Sequence, residues 1–87
     1  MKSPYVLRNR VRELRARLQL RQADLAQEVD VTRQTILAIE KGRLNPSVAL
    51  SLRIARVLRE PVDYIFYLEH ADGLREWKEE RAQLRAL

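Results

Sequence analysis

Residues 21–42 read RQADLAQEVDVTRQTILAIEKG, and this stretch decides the fold. Leu25, Ala26 and Val29 recur at helical spacing, predicting a short helix over about residues 22–29 with one apolar face. Ile36 and Ile39 do the same for a second helix over about 33–41, with Thr32 as its N-cap and Gly42 closing it. Between them Asp30 occupies a tight turn, being one of the few residue types that tolerate a left-handed backbone. A small residue, Ala26, falls where the two helices must touch. Arg33, Gln34 and Thr35 follow the cap at once and have no place in a core. Two short helices joined by a tight turn, the second with a polar start, form the geometry that sets a recognition helix into the DNA major groove.

Working outward, Leu7, Val11, Leu14 and Leu18 lie at i, i+4, i+7 and i+11 and predict a first helix over roughly 6–19. KGRLNPS (41–47) turns the chain, and Ser47 caps a fourth helix over about 48–59 that buries Leu50, Ile54, Ala55 and Leu58. Pro61 opens a fifth, VDYIFYLE (62–69), burying Val62, Ile65 and Phe66. After HADG, Leu74, Trp77, Arg81 and Leu84 predict one more helix. No stretch alternates apolar and polar residues long enough to suggest a strand, so the expected fold class is all-α. Residues 1–68 are expected to form the domain and 69–87 a helical extension.

Eighty-seven residues, 46% apolar, make one small domain with no room for a second catalytic or sensing unit. There is no cysteine, hence no disulfide framework and no thiolate site. The start, MKSPYVLRNR, has no apolar core of a signal sequence, and the longest apolar run, YIFYL, cannot span a bilayer. A soluble, cytoplasmic protein is expected, with no membrane partner. The net charge is +5, but residues 1–59 carry +8 and residues 60–87 carry −3. Such separation suggests an anionic partner for the first part, most commonly nucleic acid.

The chain from ELRARLQLRQADLAQEVDVTRQTILAIEKGRLNPSVALSLRIARVL to PVDYIF, within residues 13–66, resembles the phage-repressor and Cro-like (XRE-type) helix–turn–helix family. RQTILAIEKGRLNPS is especially similar to its compact single-domain prokaryotic members. The resemblance implies a five-helix, lambda-repressor-like domain and a set of residue roles. Arg33 and Gln34 would reach base edges, arginine suiting guanine O6/N7 and glutamine suiting adenine N6/N7. Leu37 and Ala38, one turn along, would pack on thymine methyls. Gln22, Thr32, Thr35, Lys41 and Arg43 would meet phosphates, fixing register rather than sequence. Arg15 and Glu40 match a salt-bridging pair between the first and third helices. The chain departs from the family at Gln19, Arg21, Asp30 and Arg59, where glycine or a small capping residue is usual.

Single histidine His70 lies in a polar connector, and adjacent Glu79 and Glu80 point about 100° apart on a helix. Neither makes a catalytic or metal site, so no enzyme, metal, cofactor or small-molecule ligand is expected. Tyr64, Phe66, Tyr67 and Trp77 gather most of the aromatics near the end of the chain and, with Leu74, suggest a homodimer interface. The expected function is a sequence-specific double-stranded-DNA-binding regulator, acting as a repressor. The alternative is an antitoxin-type module whose segment 70–87 grips a protein partner.

Overall fold

The computed structural model describes residues 4–71. In chain order they form β1 (Tyr5–Asn9), α1 (Val11–Arg17), α2 (Gln22–Glu28), α3 (Arg33–Glu40), α4 (Val48–Leu58), α5 (Val62–Ile65) and β2 (Phe66–His70). Five helices are present, but the domain is not purely all-α. Strands β1 and β2 pair antiparallel, from Tyr5 opposite His70 to Asn9 opposite Phe66.

That ribbon corrects the first helix. Residues 5–9 give their backbone groups to β2, and helical geometry begins only at Val11. Asn9 sets the junction: its Oδ1 accepts from the Val11 N–H at 3.1 Å, while the Arg10 N–H donates to Ile65 O at 2.9 Å. Leu7 therefore belongs to a strand, and its i, i+4 relation to Val11 is a coincidence of spacing. Leu18, expected at the end of the apolar stripe, is exposed, and Leu20 packs against the core beyond the turn. The fifth helix is likewise short. It stops at Ile65, and Phe66, Tyr67 and Leu68 continue as β2, as aromatic and branched residues favour. Strand β2 also runs across the expected domain boundary at 68/69. His70 is its last, buried residue rather than part of a connector, and the Tyr5 ring meets its ring nearly edge-on, at 5.3 Å between centroids. The expected helix around Leu74, Trp77, Arg81 and Leu84, together with Glu79 and Glu80, lies outside the described residues.

The ribbon is fastened to the helices by Arg10. Its guanidinium stacks on the rings of Tyr67 and Tyr64, at 4.1 and 4.6 Å from their centroids, and donates to Tyr64 O at 2.9 Å. Such cation–π contacts contribute on the order of 0.5–1 kcal/mol each at accessible sites. The Arg8–Glu69 pair on the ribbon's outer face, 3.4 Å apart and half exposed at both ends, adds little.

Helices α1 to α4 end alike. One or two residues past each helix the chain enters the left-handed region, at Gln19 (φ 58°), Asp30 (φ 60°), Gly42 (φ 73°) and Arg59 (φ 60°). The next N–H then reaches back five residues: Leu20 to Arg15, Val31 to Ala26, Arg43 to Ala38 and Glu60 to Ala55. This Schellman closure satisfies carbonyls that would otherwise be left open at a helix end. Only one of the four positions is glycine, so the departures from the family at Gln19, Asp30 and Arg59 leave the helix endings intact. At the N-termini, Thr32 accepts from the Thr35 N–H (3.2 Å) and Ser47 from the Leu50 N–H (3.1 Å).

Val11, Leu14, Leu25, Ala26, Val29, Ile36, Ile39, Leu50, Ile54, Leu58 and Ile65 form one continuous core drawn from all five helices. Phe66 packs against it from the ribbon. Its consequence for function is that α2 and α3 are held by side chains from every neighbouring helix, although seven or eight residues alone would not remain helical in water.

Candidate nucleic-acid interface

Helix α3 divides by exposure. Ile36 and Ile39 are fully buried, fixing its rotation and depth against α2. Buried Ala26 gives α2 a small residue in the core shared with them. With that face committed, Arg33 and Gln34 stand exposed at the first turn, and Thr35, Leu37 and Ala38 are half-buried beside them. Thr32 is exposed. Its hydroxyl lies 3.0 Å from that of Thr35, so both threonines participate in the cap. Lys41 and Arg43 are exposed just past the helix. Candidate base-reading and phosphate-binding groups thus occupy one continuous stretch, 32–43, with the core on its other side.

The far end of α3 is tied down more heavily. Glu40 Oε2 receives the Arg15 Nε at 2.9 Å, and Oε1 receives Arg15 Nη2 at 3.2 Å. Arg15 Nη1 donates to Leu20 O at 2.9 Å, inside the loop that leads to α2. The side chains are only 14% and 4% exposed. A pair so desolvated gains little net stability but is costly to break, since the surviving partner stays charged and buried. Asn9 Nδ2 donates to Ile39 O at 3.0 Å, so the ribbon also holds this end. Arg53 of α4 donates to Val29 O at 3.3 Å, bracing the turn between α2 and α3.

Gln22 lies between the two ends. Its amide Nε2 donates to Glu40 Oε1 at 3.1 Å, and its Oε1 accepts from Arg33 Nε at 3.3 Å. Beside it Arg21 occupies the N-cap of α2 and cannot cap through its own side chain. Asp24 reaches back instead, accepting the Arg21 N–H at 2.9 Å and pairing with the Arg21 guanidinium at 3.2 Å. The hydrogen bonds from Arg21 hold the Asp24 carboxyl below the usual carboxylate range, and Asp24 in turn raises Arg21. Arg15, Arg21, Gln22, Ala23 and Arg33 line an open, arginine-rimmed depression on this side of the domain, suited to an anion such as a phosphate oxygen.

Sequence reasoning placed Arg33, Gln34, Leu37, Ala38, Thr32, Thr35, Lys41 and Arg43, and the structure brings them to one stretch with Gln22 alongside. It missed Asn9 and Arg53, whose roles depend on carbonyls at 30 and 24 residues' distance. It also missed the engagement of Gln22 within the protein. Of the residues expected at a dimer interface, Phe66 faces its own core, whereas exposed Tyr64 and half-buried Tyr67 flank Arg10. Leu74 and Trp77 lie outside the described residues. Among the described residues no helix is long and apolar enough to cross a membrane.

Comparison with known proteins agrees with this geometry. The helix-turn-helix family model matches residues 11–65, from the start of α1 to the end of α5. An uncharacterized HTH-type transcriptional regulator of Methanothermobacter thermautotrophicus is 53% identical over 68 residues, covering 77% of this chain and 97% of that protein. The HTH-type transcriptional regulator YgzD of Bacillus subtilis, likewise uncharacterized, is 44% identical over 63 residues, covering 72% and 96%. Among solved structures, the clp gene regulator ClgR of Corynebacterium glutamicum superposes with a TM-score of 0.58 at 25% identity, covering 87% of this chain and 72% of that one. With the two-helix unit, its exposed polar start and relatives matched nearly end to end, the chain belongs to the helix–turn–helix family of XRE-type DNA-binding transcriptional regulators.

Proposed function

We propose that the protein binds a specific double-stranded operator as a homodimer and represses transcription by occupying promoter DNA. Arg33 and Gln34 read base edges in the major groove, Leu37 and Ala38 pack on thymine methyls, and Thr32, Thr35, Lys41 and Arg43 hold phosphates. One observation carries this reading: burial of Ile36 and Ile39 leaves the first turn of α3 projecting Arg33 and Gln34 clear of the core. Neither side chain is needed for packing, and their donors match the major-groove acceptors of guanine and adenine. A single recognition helix covers only a few base pairs, and a twofold pair on half-sites about 34–36 Å apart supplies the remaining affinity and specificity. Exposed Tyr64 and the neighbouring C-terminal segment are the proposed dimer surface.

The test is fluorescence-anisotropy binding to DNA from the gene's own promoter and to a scrambled duplex, at two salt concentrations. Wild type should favour the promoter, and both duplexes should weaken steeply with salt. Arg33→Ala should remove about 1–3 kcal/mol of the preference for the promoter. Equal, weak binding of both duplexes, unchanged by the substitution, would reject operator recognition.

A further inference from the structure

The β1–β2 ribbon has an open edge. At its two ends the Ala71 N–H donates to Pro4 O at 2.6 Å and the Arg10 N–H to Ile65 O at 2.9 Å. In an antiparallel pair, opposed residues that exchange backbone bonds alternate with opposed residues that do not. Val6 with Glu69 and Arg8 with Tyr67 are therefore the bonded pairs, and Leu7 and Leu68 turn their N–H and C=O groups away from each other. On the β1 side, Leu7 shares a depression with Gly42, Leu44 and Pro46, so the loop after α3 lies against it. On the β2 side, Val62 O takes the Phe66 N–H, but the N–H and C=O of Leu68 meet no partner among the described residues. Leu68 is also 60% exposed. An edge strand with free backbone groups and an exposed leucine is a template for another strand.

We propose that this edge pairs with the same edge of a second copy, joining two ribbons into one four-stranded antiparallel sheet across a twofold axis at Leu68. The proposal rests on the homodimer reading above and names the contact that makes the dimer. In this register the strand is self-complementary. Leu68 faces Leu68 of the second copy, and their free N–H and C=O groups close two hydrogen bonds. Tyr67 falls opposite Glu69, and Phe66 opposite His70.

Both faces of the joined sheet suit that register. Leu7 lies opposite Leu68 within each ribbon, so one face carries a row of four leucines across the two copies. On the other face, the Glu69 carboxylate of each copy comes beside the Tyr67 ring of the other, on which the Arg10 guanidinium stacks. A parallel pairing in register would instead set Glu69 directly against Glu69, which is destabilising. Strand β2 follows α5 without a break, so the edge is continuous with the exposed Tyr64.

The chain has no cysteine, so a single introduced cysteine reports this contact directly. Residues facing each other as a bonded antiparallel pair have Cα atoms about 5.5 Å apart, inside the range that a disulfide spans. Under mild oxidation Leu68→Cys should form a covalent dimer at least about tenfold faster than Leu18→Cys, an exposed position at the far end of α1. Leu68→Pro removes the edge N–H without touching the bonds to β1, and Leu68→Ala keeps that N–H while losing the same side chain. By sedimentation, the proline variant should dissociate at about tenfold or more higher concentration than the alanine variant. The oxidised Leu68→Cys dimer should bind the promoter duplex at least as tightly as wild type, because the linked pair cannot separate.

A wild-type chain that is monomeric both free and on the promoter would remove the dimer reading and this edge with it. A wild-type dimer in which Leu68→Cys links no faster than Leu18→Cys, and Leu68→Pro associates as Leu68→Ala does, would overturn edge pairing and leave a dimer built on another face. A rapidly linked Leu68→Cys dimer that has lost the promoter would overturn the edge as the operator-binding contact.

Discussion

The two ends of α3 are built on opposite principles. Its last turn is immobilised: Ile39 is in the core, Glu40 is paired with Arg15, and Ile39 O is held by Asn9 from the ribbon. Its first turn carries a threonine cap and one hydrogen bond to Gln22, and otherwise presents Arg33 and Gln34 to solvent. A binding helix needs both conditions. Without the anchored end, the exposed side chains would have no fixed register with the base pairs; without the open end, nothing would be left to recognise them. The anchor is also drawn from distant parts of the chain, so the placement of Arg33 and Gln34 depends on the whole domain rather than on the two-helix unit alone.

Substitutions at the two ends should separate stability from recognition. Ile39→Ala should cost about 2–5 kcal/mol of unfolding free energy, because the fully buried side chain leaves a cavity between α3 and its neighbours. In a domain of this size that lowers the melting temperature by roughly 10 °C or more. Urea unfolding followed by circular dichroism measures it, and a loss under about 1 kcal/mol would mean that the last turn is not the anchor. Arg33→Ala should do the reverse. Its midpoint in urea should stay within about 0.5 kcal/mol of wild type, as expected of an exposed position, while promoter preference falls. If both variants changed stability alike, the division of labour along α3 would be wrong.

How much of this division could be read from the sequence depends on the range of the forces involved. The α2–turn–α3 unit was legible because its determinants are local: Thr32 caps a residue three positions away, Asp30 needs only its own φ, and Ile36 and Ile39 repeat at helical spacing. The ribbon was not, because Asn9 and Phe66 pair across more than fifty residues and each strand is only five residues long. Leu7 happened to continue the stripe of α1, and Val62, Ile65 and Phe66 satisfied helical spacing just as well. A signal was present in the aromatic and branched run Ile65–Phe66–Tyr67, which favours a strand, but spacing outweighed it. At the site, exposure of Arg33 and Gln34 followed from the apolar pattern. The use of Gln22 inside the protein did not, since a glutamine amide can bond in many directions and only the position of Glu40 selects one.

The cap at the open end offers a smaller perturbation. Thr32→Ala removes the hydroxyl that accepts the Thr35 N–H and should cost about 1 kcal/mol. Because the core under Ile36 and Ile39 remains, the loss should concentrate in the first turn. Amide exchange should quicken at Thr35 while amides near Ile39 keep most of their protection. Uniform quickening along α3 would show that the helix opens as one unit and that its two ends are not independently held.

The smallest effect is expected next to that end, at the start of α2. Asp24 accepts from the backbone and side chain of Arg21, and these bonds hold its carboxyl below the ordinary value of about 4. A carboxyl whose folded value is depressed stabilises the fold above its unfolded value and loses that contribution as pH falls through the folded one. Wild type should therefore be slightly more stable than Asp24→Asn at pH 7, and the difference should shrink once the pH drops below about 4. Arg21 is largely exposed, so added salt should shrink it as well. Thermal unfolding of the two proteins across this range, at low and high salt, gives the comparison. The absence of a difference at any pH would mean that Asp24 acts through the neutral hydrogen bond to the Arg21 N–H, which asparagine retains, and that its charge adds nothing to the start of α2.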